Sequence, residues 1–166
     1  MNVKSLLKRS LAAAFALTTA SAAVAQSAAP SGQAKSGPLI ERGRYLISIA
    51  GCNDCHTPGY IAASGKVDEK LWLTGDTLGW RGPWGTTYAT NLRLYMQHHT
   101  EASWLKAART FRPRPPMPWF NVHAMTDQDL RAIYQYIRAL GPAGQAVPAY
   151  VPPNQKPAGP IVQFPG

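Results

Sequence analysis

Cysteine is scarce in this sequence: Cys52 and Cys55 are the two thiols in 166 residues. A tetrahedral structural metal site needs four ligands. Beyond this pair the candidates are His98, His99 and His123, which supply no second paired spacing. Charge is also scarce and one-sided. Asp and Glu number 8 against 17 Lys and Arg, and charged residues make up 15% of the chain. Long apolar runs are missing beyond the N-terminus, so the mature chain is expected to carry no transmembrane helix. No alternating strand period and no internal repeat is found. The lack of a strand pattern is compatible with an all-α domain. The 45% hydrophobic content allows a packed core, and the frequent Gly and Pro imply much turn and loop.

The N-terminus reads in the order of a secretory signal. Lys4, Lys8 and Arg9 come first, an apolar stretch begins at Leu11, and Ala23-Val24-Ala25 offers a small-x-small cleavage site. Residues 1–25 are therefore expected to be removed, leaving a periplasmic protein. No cysteine lies at the site to take a lipid. Without the three leader cations the basic residues fall to 14 against 8 acidic ones, a net +6. An exported chain has little access to nucleic acid, so this balance suits an acidic protein partner or an anionic membrane face.

Residues 26–37 are small and polar, as in a flexible linker. A domain is expected over 38–143. Pro38 suits a first-turn position and Gly51 ends a helical run containing Leu39, Leu46 and Ile49. Gly43 inside that run costs roughly 1 kcal/mol relative to Ala, which implies a packing reason such as a close helix crossing. Residues 57–91 are irregular, with six glycines and Trp72, Trp80 and Trp84. Those tryptophans suggest turns wrapped around something large and apolar. Thr100 caps a helix whose inner face is Trp104, Leu105 and Ala108, with Pro113 as its stop. After the proline-locked RPRPPMPWF comes the clearest helix, TDQDLRAIYQYIRALG. Thr126 caps it, Leu130, Ile133, Ile137 and Leu140 form its stripe, and Gly141 ends it. The tail, 144–166, is proline-rich and is expected to be extended and to leave the functional site intact if removed; wrapping the surface or docking, and a disordered terminus with no role, are both open to it.

The two cysteines stand in GCNDCHTPG, residues 51–59. C-x-x-C followed by His is the attachment pattern of a c-type haem: each thiol adds to one vinyl group, and the histidine becomes an axial ligand of the iron. Cys52 and Cys55 are then thioethers and His56 binds iron. A structural disulfide would close a strained two-residue loop. A thiol-disulfide oxidoreductase also uses C-x-x-C, but needs a preceding strand where this sequence has a helix. A haem also supplies core to a domain with a poor surface-to-volume ratio. For the other axial position the candidates are Met96, Met117, Met125, His98, His99 and His123. Met117 fits best, because Pro115, Pro116 and Pro118 fix the backbone around it. Met96 and Met125 read as core residues, His98 and His99 as solvated loop, and His123 as the rival to test. Methionine ligation raises the potential and fills the iron, leaving one-electron transfer as the chemistry. A haem-based gas sensor would instead need an open sixth site.

In this order, CNDCH, PPMPW and a C-terminal helix, the chain resembles a class I cytochrome c. More narrowly, PWGTTYATN, RPPMPW and TDQDLRAIYQYIRAL resemble the haem domains of cytochrome subunits of membrane-bound alcohol and gluconate dehydrogenases. The resemblance covers about residues 38–153. It implies a small fold of about three to four helices around one covalent haem c, with first and last helices crossing at Gly43, Tyr45 and Tyr134. It implies propionate contacts from Tyr88 and Asn91, and a carbonyl of Pro83 on the second nitrogen of His56. It also implies an electron carrier, not itself an enzyme, between a periplasmic or membrane-bound dehydrogenase and an oxidase or another cytochrome. Those subunits usually carry three haem motifs and a membrane helix; this sequence has one motif and a proline-rich tail.

Overall fold

Pro38 opens the first helix, α1 (Pro38–Ile49), where a missing N–H costs nothing. In this computed structural model, residues 37–165 are described. The expected signal peptide and most of the linker lie outside the described residues. The Cys-containing segment is a single helical turn, α2 (Cys52–His56), entered through Gly51 in the left-handed region. A hairpin follows, β1 (Gly79–Gly82) and β2 (Gly85–Tyr88), then α3 (Leu92–Tyr95), α4 (Glu101–Thr110), α5 (Trp119–Ala124), α6 (Asp127–Leu140) and β3 (Ile161–Gln163). Short 3₁₀ turns cover Glu69–Leu71 and Met96–His98.

The long helices follow their local signals. Thr100 and Ser103 form a capping box on α4. The helix stops at Thr110, ahead of Pro113, because the residue before a proline avoids helical geometry. On α6 the Thr126 hydroxyl accepts from the Asp129 N–H at 3.1 Å, and Leu130, Ile133 and Ile137 are buried as the stripe requires. Arg93 is buried and donates to the carbonyls of Leu140 and Gly141, which closes the end of α6. Helices α3 and α5, at four and six residues, are too short to print a helical period in the sequence.

Helices α1 and α6 cross at Gly43. A Cβ built there would stand 2.1 Å from the Ala132 carbonyl oxygen and 2.6 Å from Tyr136 Cβ. The crossing partners of Gly43 are therefore Ala132 and Tyr136. Tyr45 is exposed, and the Tyr134 hydroxyl is turned to the His99 carbonyl at 3.0 Å. The stagger of one helix over the other decides which tyrosine meets the glycine, and that stagger is not written in either helix alone.

A three-stranded sheet of order β2-β1-β3 accompanies the helices. β1 pairs antiparallel with β2 through a two-residue turn, and β3, from the tail, pairs parallel with β1. Strands of three or four residues are too short to carry a readable alternation, so none was expected. Of the three tryptophans expected to wrap an apolar centre, Trp72 packs edge-on against Tyr60, while Trp80 and Trp84 pack on Phe164 of the tail. The tail thus packs on two half-buried tryptophans that composition alone assigned to a cofactor.

Loop 57–75 is tied to α2 by one threonine. The Thr57 hydroxyl donates to Asn53 Oδ1 at 2.7 Å and accepts from the Leu73 N–H at 2.8 Å, and all three residues are buried. Thr57→Val keeps the shape and strands both partners. Each buried unsatisfied group costs ~1–3 kcal/mol, so we expect about 2 kcal/mol lower stability in urea unfolding, with Thr57→Ser close to wild type. Equal midpoints for the valine and serine variants would show that the hydroxyl contributes nothing.

Candidate functional site

In a helical turn, residues three and four apart share a face. Cys52, Cys55 and His56 lie at such spacings in α2, and all three line one cavity of ≈ 400 Å³. Its walls are mostly apolar, contributed by Ile47 of α1, Trp104 of α4, and Ile133 and Ile137 of α6. The loop carrying Met117 and Pro118 lines it as well.

His56 is buried, and its Nδ1 lies 2.7 Å from the Thr90 carbonyl oxygen. A carbonyl only accepts, so Nδ1 carries the proton and Nε2 keeps its lone pair for the cavity. Burial holds the imidazole below its ordinary pKa, against a smaller raising effect of the Thr90 bond. A neutral ring with a fixed tautomer is the form that ligates iron. The expected carbonyl was that of Pro83. Pro83 sits in the exposed turn between β1 and β2, whereas the chain leaving β2 passes α2 at Thr90. That pass is fixed by the Gly75 N–H on the His56 carbonyl at 2.9 Å and the Asp76 N–H on the Ala89 carbonyl at 3.1 Å.

The two thiols form no disulfide. Burial pushes the Cys52 thiol up to about 11, and raises Cys55 as well. A thiol-exchange enzyme needs the opposite, a thiol whose thiolate is favoured near neutral pH. The environment is that of sulfurs meant to face an apolar surface.

The Met117 loop is closed by its neighbours. The Trp119 N–H donates to the Met117 carbonyl at 2.9 Å, and the Arg112 guanidinium lies over the Trp119 ring at 4.1 Å. His123 Nε2 donates to the Phe111 carbonyl at 3.0 Å across the base of the loop. Its ring is therefore committed to the backbone, and His123 does not line the cavity. His98 is exposed, and His99 Nδ1 sits 3.1 Å from the Ser103 hydroxyl. Met96 and Met125 do line the cavity. Met96 belongs to the buried core and Met125 packs against it, whereas Met117 belongs to neither set.

Tyr88 and Asn91 are not among the lining residues. Asn91 is buried, caps α3 by accepting from the Leu94 N–H at 3.0 Å, and donates its amide to the carbonyls of Ala143 and Gln145 at 2.8 and 3.1 Å. Both amide hydrogens are thus engaged where the domain runs into the tail. The charged side chain on the lining is Arg112, which sequence reasoning passed over because it stands at the start of a proline-rich loop.

The donor set fits a c-type haem: two sulfurs three residues apart, a neutral imidazole with Nε2 free, a thioether on a loop lining the same cavity, and mostly apolar walls. The family model for cytochrome c matches residues 40–141. A nicotinate dehydrogenase subunit of Pseudomonas putida is 29% identical over 135 residues, covering 74% of this chain and 10% of the relative. The fructose dehydrogenase cytochrome subunit of Gluconobacter japonicus is 29% identical over 123 residues, covering 68% of this chain and 24% of the relative. The chain thus spans a quarter or less of these curated relatives. No solved structure gives a significant match.

Proposed function

The chain belongs to the cytochrome c family, and from that membership we propose that it is a periplasmic one-electron carrier with a single haem c, serving a dehydrogenase. The observation that carries this reading is the common cavity of Cys52, Cys55, His56 and Met117. When bound, haem supplies a ferric/ferrous couple; the rest of the work falls to the chain. Cys52 and Cys55 would fix the group through thioethers. His56 Nε2 and the Met117 sulfur would hold the iron. The Thr90 carbonyl holds the His56 ring in one tautomer and raises its basicity as a donor. Ile47, Trp104, Ile133 and Ile137 keep water from the site, and a drier site shifts the potential. Arg112, in place of Tyr88 and Asn91, would meet a haem carboxylate.

The partner is proposed from the printed names of the relatives, both of which are dehydrogenase subunits. An oxidase or second cytochrome would take the electron onward. Arg112 and Arg114 are exposed and join no carboxylate among the described residues, so the rim near the Met117 loop is basic and suits an acidic partner. Among the described residues no helix is long and apolar enough to cross a membrane.

The test is covalency. Chain expressed with working haem-attachment machinery, denatured and weighed, should retain the mass of one haem and give a c-type pyridine haemochrome spectrum. Replacing both Cys52 and Cys55 by alanine should abolish the retained mass. A haem-free wild-type chain made under those conditions would falsify the reading.

A further inference from the structure

The loop that carries Met117 is braced from outside the cavity by two elements remote in sequence. The first is the hairpin. The Thr87 hydroxyl on β2 donates to the Pro115 carbonyl at 2.9 Å, two residues before Met117. The second is the tail. The Arg114 guanidinium lies over the Tyr150 ring at 3.8 Å, and the Tyr150 hydroxyl donates to the Trp84 carbonyl in the hairpin turn at 2.8 Å. One tyrosine therefore touches both the distal loop and the hairpin that supports it.

Tyr150 is itself held in place. Val151 exchanges two backbone bonds with Thr86, at 2.7 and 3.0 Å. Gly85 leaves the space this requires: a Cβ there would stand 2.5 Å from the Val151 carbonyl oxygen and 2.8 Å from the Tyr150 ring. Beyond Tyr150 the tail is locked by Arg81, which donates to the carbonyls of Pro153 and Gln155, and by β3 on β1. Before it, Asn91 holds Ala143 and Gln145. The tail is pinned on both sides of the residue that reaches the loop.

We infer that the proline-rich tail positions the Met117 loop, with Tyr150 as the positioning residue acting through Arg114 and through the hairpin to Pro115. The inference rests on Met117 being an axial ligand. A thioether is a weak ligand, and its occupancy depends on how little of the time the loop swings away. An outside ligand binds only the fraction of molecules whose iron is open, so its apparent affinity measures that fraction. The inference reverses the expectation from sequence that the tail is dispensable to the site. Prolines suit the role, because a chain with few conformations loses little entropy when it lies down as a brace.

The experiment is an imidazole titration of the ferric, full-length holoprotein, following loss of the weak sulfur-to-iron band near the red end of the spectrum. Tyr150→Ala removes a cation–π contact worth ~1 kcal/mol, so imidazole should bind about fivefold more tightly. Tyr150→Phe keeps the ring beneath Arg114 and should move less than Tyr150→Ala. Thr87→Val should tighten imidazole binding by a similar several-fold factor. Truncation after Ala143 should have the largest effect; where it fails to fold, the point variants decide. Imidazole affinity within twofold of wild type in both Tyr150→Ala and Thr87→Val overturns the inference, even if urea stability falls, since the tail would then stabilise without positioning. A wild-type protein lacking the band, or a band that survives Met117→Ala, overturns the ligand assignment and this inference with it.

Discussion

Gly43→Val should destabilise the protein by about 4 kcal/mol or more, and Gly43→Ala by about 3 kcal/mol, beyond the usual overpacking range of ~1–3 kcal/mol. The reason is what the new atom meets. A Cβ at Gly43 lies 2.1 Å from the Ala132 carbonyl oxygen, which is helix backbone and has no rotamer to change. Relief requires α1 and α6 to move apart, which would open the packing around Ile47, Ile133 and Ile137 that walls the cavity. The sign of the alanine result is diagnostic. Within an isolated helix Gly→Ala stabilises by roughly 1 kcal/mol, so propensity and crossing predict opposite signs. Against a total stability of ~5–15 kcal/mol, the valine variant should show measurable unfolded chain in mild urea. Circular dichroism along a urea series measures both variants. An alanine variant as stable as wild type would mean that the helices do not approach this closely.

Met117→Ala should abolish the sulfur-to-iron band and lower the reduction potential by on the order of 100 mV, part of the roughly 0.8 V that axial ligands command. The direction follows from the ligand. A thioether is a poor donor to ferric iron and favours the ferrous state, so its loss favours oxidation. The comparison must include the other two cavity methionines, since Met96 and Met125 line the same space. Met96→Leu and Met125→Leu should keep the band, because both sulfurs sit in or against the packed core and leucine fills their volume. A spectroelectrochemical titration of the three variants separates the roles. If either leucine variant loses the band while Met117→Ala keeps it, the distal ligand is misassigned.

That Cys52, Cys55 and His56 come together was legible because their spacing is local. Cys52, Cys55 and His56 fall on one face of any helical turn, so five residues suffice to place two sulfurs and an imidazole together. The same locality made α6 readable, from Thr126 at its cap through Leu130, Ile133 and Ile137 to Gly141. Gly43 was legible as a packing glycine, though not its partners. Where the sequence misled, the deciding contact came from far along the chain.

By itself the sequence determined the Cys-x-x-Cys-His turn, the two long helices and a proline-fixed methionine loop, since each is specified within one or a few helical turns. Tertiary structure alone decided that Thr90 rather than Pro83 holds His56, and that Asn91 is engaged where the domain runs into the tail. It also decided that β3 pairs with β1 and that Tyr150 reaches Arg114. Those contacts join residues from 34 to 82 positions apart. A carbonyl or an aromatic face is present nearly everywhere in a sequence, so its identity as a partner is set by which surfaces packing brings together.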